Sequence, residues 1–126
     1  MIFTIGYSAL GYKAEMIIPE LKKLIKQFDA ILIDIRSNPY GLVNLPELKK
    51  ALSDRYEWHG ELGFPAYLTA TKTDITYENV LLMCAEKNVD NCHRKDVAEK
   101  MRIWRGRNEQ IEHLNSTKKR GRQTCL

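Results

Sequence analysis

Val80-Leu81-Leu82-Met83-Cys84-Ala85-Glu86-Lys87 is an apolar run that ends in a thiol and then turns charged, the pattern of a buried strand. After a short polar loop, Asn91-Cys92-His93-Arg94 sets a second thiol, an imidazole and a guanidinium where an apparent helix begins. The first N–H groups of a helix have no partner within it, so such a corner suits an anion and can also favour a thiolate. Ala30-Ile31-Leu32-Ile33-Asp34-Ile35 is a second continuous apolar run, which marks a strand covered on both faces.

Between and around these runs the chain alternates strand and helix signals. Ile2 to Ile5 reads as a short strand ended by Gly6-Tyr7-Ser8. From about Lys13 to Gln27, and on to Phe28, apolar residues recur at Ile17, Ile18, Leu21, Leu24 and Ile25 with helical spacing. Pro19 is tolerated in a first turn, which predicts that this helix starts there. Asn44, Pro46 and Glu47 form a capping-box pattern for a short helix ending near Ser53. Tyr56-Glu57-Trp58 is a short strand, His59 to Pro65 a loop, and residues 66–77 are weakly patterned. Cys92 to Trp104 carries Val97, Met101 and Trp104 on one helical face, and Gln110 to Leu114 alternates as a last, half-exposed strand.

This order predicts an α/β three-layer sandwich: a mostly parallel sheet of about five strands with helices on both faces. Residues 1–115 form a single domain, and 116–126 a flexible basic tail. Right-handed crossovers bring the C-terminal ends of the strands to one edge, where open α/β sheets bind ligands. Gly6-Tyr7-Ser8, Asp34 to Ser37, His59 and Cys84 to Arg94 then converge on one crevice.

The composition, 44% hydrophobic and 29% charged over 126 residues, is that of one globular domain. No apolar run reaches the length of a membrane span, and Met1 to Ile5 lacks the features of a signal peptide, which predicts a cytoplasmic protein without a membrane partner. The three cysteines are then expected as reduced thiols, an odd number in a reducing compartment. No paired metal-ligand spacing occurs, so no metal site is predicted. The net charge of +4 comes from Lys118, Lys119, Arg120 and Arg122; without them 16 basic residues face 16 acidic ones. Such a tail gives weak, salt-sensitive nucleic-acid contact or simply keeps the chain soluble.

Cys92, placed at the first or second helical position, is the candidate nucleophile, with His93 (if protonated) and Arg94 favouring its thiolate; the alternative is a small residue packing the corner. Cys84 ends a buried strand and serves the core or a ligand. Glu86 is a candidate base, or the partner of Arg94. Asp34 and Arg36 alternate to one face: Arg36 suits a phosphate or carboxylate, and Asp34 holds Arg36, binds a ribose hydroxyl, acts as general base, or closes the sheet edge in a structural ion pair. Ser8 offers a hydroxyl after the first strand, and His59 is a loop histidine near the crevice. Neither a dinucleotide fingerprint nor a P-loop occurs.

Several segments together resemble one family. Thr4-Ile5-Gly6-Tyr7-Ser8 is similar to T-I-G-[HY]-S, and Ile33-Asp34-Ile35-Arg36-Ser37-Asn38-Pro39 to V-D-V-R-S-x-P. Glu61-Leu62-Gly63 is similar to E-L-G, and Leu82 to Glu86 with Cys92-His93-Arg94 to L-x-C-A-E…C-H-R. These segments, in order from residue 4 to about Leu114, resemble the domain-of-unknown-function 488 (DUF488) family. The resemblance implies a Rossmann-like fold and a polar site built from Ser8, Asp34, Arg36, Cys84, Glu86, Cys92, His93 and Arg94, near nucleotide or nucleic-acid metabolism but with no settled reaction. The chain departs from the family at Phe64 to Asn79, where members carry a longer insert that covers one side of the crevice.

The sequence therefore favours a domain that binds an anionic, nucleotide-like ligand at the C-terminal edge of the sheet, as a cysteine-dependent enzyme or a binding protein. Arg36, Arg94 and the amides around Cys92 are expected to hold the anion, and Arg36→Ala and Arg94→Ala to weaken ligand binding while leaving the fold largely intact. The other readings are a nucleic-acid or protein-binding module acting through the tail and a shortened, inactive relative. Cofactor and oligomeric state are open.

Overall fold

The computed structural model describes residues 1–115; the basic tail predicted for 116–126 lies outside them. Strands β1 (Ile2–Gly6), β2 (Ile31–Asp34), β3 (Tyr56–Trp58), β4 (Val80–Cys84) and β5 (Ile111–His113) form one sheet in the order β3-β2-β4-β1-β5. Every neighbouring pair is parallel. Parallel neighbours need crossovers, supplied by helices α1 (Ala14–Phe28), α2 (Leu45–Leu52) and α3 (Arg94–Arg105) and by an irregular segment between β3 and β4.

Strand alternation sorts the core into two layers. Phe3, Ile5, Leu32, Leu81 and Met83 meet Ile17, Leu21 and Leu24 of α1 and Leu48 of α2 on one face. Ile2, Ile33, Val80, Leu82 and Cys84 meet Val97, Ala98 and Met101 of α3 on the other. The fold is thus an α/β sandwich with helices on both faces of an all-parallel sheet. Burying each of these large side chains contributes about 1.5–3 kcal/mol. The weakly patterned segment after β3 joins the second layer through Leu62, Tyr67 and Ile75.

Two helix starts differ from expectation. α1 begins at Ala14 rather than at Pro19, which lies inside the helix on an exposed face, where water can satisfy the carbonyl that loses its partner. α3 begins at Arg94 rather than Cys92, because Val89–Asn91 takes up a separate 3-10 turn and His93 becomes the cap residue. The capping box of α2 forms as expected, with Glu47 Oε1 accepting from the Asn44 N–H at 2.7 Å. Among the described residues no helix is long and apolar enough to cross a membrane.

Candidate functional site

β4 delivers Cys84 to its C-terminal end on the α3 face, 3% exposed. The chain then loops through Val89–Asn91 and returns in an extended conformation at Cys92, with φ −133° and ψ 141°. This return lays the Cys92 sulfur on that of Cys84, and the two are paired as a disulfide with Cα atoms 7.6 Å apart. The expectation of separate, reduced thiols is corrected at these two positions; Cys125 lies outside the described residues.

The amide of Cys92 donates to the Val89 carbonyl and that of Arg94 to the Cys92 sulfur at 3.4 Å. The expected nest of free amides around Cys92 is therefore not available to an outside anion at these two groups: the group held at this helix end is the Cys92 sulfur itself. His93 Nε2 faces the Ile35 carbonyl at 3.3 Å, which requires that this nitrogen carry a proton. Its Nδ1 is then a lone pair 4.0 Å from the Cys92 sulfur. Burial, reinforced by the nearby Arg94 charge, lowers the His93 pKa. His93 thus favours the neutral form, which makes it a base for the thiol; the protonated alternative considered from sequence is the less favoured one.

Arg94 is corrected most. Its side chain is 1% exposed and turned beneath the cysteines instead of into the crevice. Nη1 donates to the Glu86 carbonyl at 2.5 Å and to Cys84 Sγ at 3.2 Å, Nη2 to the Lys87 carbonyl at 3.1 Å, and Nε to Thr4 Oγ1 at 3.2 Å. Burial lowers its pKa to about 10, partly offset by the charge of Glu86. Among the described residues no carboxylate forms a salt bridge with Arg94. Glu86 meets it through its backbone, while its side chain is exposed.

Arg36 occupies the opposite face of the sheet edge. Its Nε and Nη2 donate to the two Asp34 oxygens at 2.9 and 2.7 Å, its Nη1 donates to the Val43 carbonyl at 2.8 Å, and its guanidinium lies over the Tyr7 ring. Burial works against its charge, but Asp34 outweighs burial and raises the Arg36 pKa. Asp34 is fully buried and also accepts from Tyr56 Oη at 2.7 Å. It does not reach the crevice as a general base; the geometry supports its role of holding Arg36. The two arginines therefore do not form the expected clamp.

What does converge is an open cleft of about 460 Å³ at the C-terminal ends of β1, β2 and β4, lined by Arg36, Cys84, Glu86, Cys92 and His93. Tyr7, rather than the exposed Ser8, represents the turn after β1 there, and the exposed rings of Tyr40 and Phe64 flank the opening. His59 is not among the lining residues. It bridges Glu57 and Glu61 at 2.8 and 2.9 Å; burial opposes its charge, but both carboxylates raise its pKa.

Sequence reasoning missed Thr4 and His113. Thr4, fully buried on β1, accepts from Arg94 and shares a hydrogen bond of 2.6 Å with His113 Nδ1 across the β1–β5 ladder. Only the placement of residues 109 positions apart reveals this link. Burial, then Arg94, lowers the His113 pKa from 6.5. A histidine with a lowered folded pKa leaves the unfolded chain binding more protons, so its stabilisation is complete above pH 6.5 and falls as pH drops from there towards the folded value. We expect acidification from pH 7 to 5 to cost His113→Asn less of its thermal midpoint than it costs the parent, as read by melts of both across that range. His59 acts in the other window, its contribution fading above pH 6.5.

Comparison with known proteins finds no family model, no curated protein and no solved structure that matches this chain. The likeness to the 488 family therefore rests on the quoted segments alone.

Proposed function

We propose that the cleft binds an anionic, nucleotide-like ligand and that Cys92, in its reduced form, is the nucleophile acting on it. The observation that carries this reading is that Cys92 and His93 open into the same cleft as Arg36 and two exposed aromatic rings, at the ends of three parallel strands. Arg36, held by Asp34, offers the cleft the guanidinium N–H groups not given to Asp34 and Val43, and Tyr40 and Phe64 offer faces for a base. His93, its Nε2–H tied to Ile35, takes the thiol proton at Nδ1. The resemblance of the site segments to the 488 family supports the same placement.

The test is the alkylation rate of reduced protein against pH, with and without a panel of nucleotides. Cys92 is expected to react at lower pH than an ordinary thiol and to be protected by at least one nucleotide. An ordinary titration with no protection overturns the proposal. Deleting residues 116–126 separates the tail reading: ligand protection that survives the deletion belongs to the cleft, whereas nucleic-acid binding that disappears with it belongs to the tail.

A further inference from the structure

The two cysteines are not equivalent, and their difference carries an activity of its own. Both cysteines line the cleft, but Cys92 is partly exposed whereas Cys84 is only 3% exposed, and the two sulfurs already meet. Behind Cys84 stands a buried guanidinium whose other acceptors are two backbone carbonyls and a hydroxyl. Within that shell the Cys84 sulfur, 3.2 Å from Arg94 Nη1, is the one group able to carry negative charge. A buried cation without a charged partner is costly, so the Cys84 thiolate is the form this pocket favours. Cys92 has its own support in the Arg94 amide and in His93.

We propose that Cys92 and Cys84 form a dithiol–disulfide couple that exchanges with low-molecular-weight or protein disulfides, with Cys92 as the attacking and Cys84 as the resolving sulfur. The Cys92 thiolate attacks one sulfur of the substrate disulfide, its proton having passed to His93 Nδ1. A Cys92–substrate bond forms, the substrate S–S bond breaks, and the first thiolate leaves to take up a proton. The Cys84 thiolate, paired with Arg94, then attacks Cys92 Sγ. The Cys84–Cys92 bond forms, the mixed disulfide breaks, and the second thiolate leaves. Two electrons pass from the protein dithiol to the substrate, and an external thiol reverses both steps. Arg94 is a positioning residue here, since it touches Cys84 and not the substrate.

The exchange needs the reduced Cys92 of the preceding section but no nucleotide, so the two proposals fail separately. The experiment uses the full chain carrying Cys125→Ser, reduced, freed of reductant and mixed with glutathione disulfide, followed by intact-mass and peptide analysis. The parent is expected to release two reduced glutathiones per chain and end as the internal disulfide. Cys84→Ser is expected to stop at a stable glutathione adduct on Cys92, and Cys92→Ser to remain unmodified over the same time. Arg94→Met should lower the thiolate fraction of Cys84 and slow the release of the second glutathione by about tenfold or more. Where far-UV circular dichroism shows Arg94→Met unfolded, Arg94→Lys replaces it and is expected to slow the second release relative to the parent while still reaching the internal disulfide. An adduct that accumulates equally in parent and Cys84→Ser overturns the proposal, as does modification of Cys84 in Cys92→Ser at the parent rate or no reaction in the parent.

Discussion

Gly6→Ala is expected to cost at least about 3 kcal/mol of folding stability, far more than an ordinary glycine substitution. The backbone of Gly6 is extended, with φ −98° and ψ 118°, so conformational freedom is not the reason. The reason is space: a Cβ there would lie 1.6 Å from the Glu86 carbonyl oxygen, 2.4 Å from its carbon and 3.0 Å from Arg94 Nη1. The obstruction is main chain, which cannot rotate away. That carbonyl is also one of the acceptors of the buried guanidinium. Relief of the clash must therefore move the turn after β4, and with it the bed of Cys84. Urea denaturation measures the loss, and a change below about 1 kcal/mol would show that the two turns are not in contact.

Asp34→Ala should be of similar size, about 3–5 kcal/mol, because it leaves a buried guanidinium without its carboxylate. Arg36 is 7% exposed and loses both Asp34 oxygens at once, while Tyr56 Oη loses its acceptor. Burial and then Asp34 hold the Tyr56 pKa well above its ordinary value, so the same variant should let Tyr56 ionise at lower pH. Spectroscopic titration of the phenol beside the denaturation curve separates this mechanism from general loosening of the fold. Unchanged stability together with an unshifted phenol would show that the pair is not what closes this sheet edge.

The architecture was legible because its signals are local. Uninterrupted apolar runs at β2 and β4 follow from burial on both faces, and the stripe from Ile17 to Ile25 follows from a helix covering one of them. The site was legible as a set of residues but not as a set of roles. That Arg94 is basic says nothing about whether its guanidinium faces solvent or folds inward, and here two carbonyls, a hydroxyl and a sulfur draw it inward. Truncating either arginine is consequently no longer neutral for the fold. The protonation state of His93 stayed open because its surroundings are not set by adjacent residues; the Ile35 carbonyl that orients it is 58 positions away. Asp34 and Arg36 were close enough in sequence for the ion pair to be foreseen among the alternatives. The partnership of Cys84 with Cys92 depends on the 3-10 turn between them, which no apolar period announces.

The strand order carries a consequence for biogenesis. β1 is made first, yet it lies between β4 and β5, which come from residues 80–84 and 111–113. A growing chain must therefore carry its first strand without either ladder partner until most of the domain has left the ribosome. Closing such distant pairings late is entropically slow. The Thr4–His113 bond forms only when the final strand docks. The polar support behind the cysteine corner thus gains its outermost member, His113 on Thr4, only at the end of the domain's synthesis.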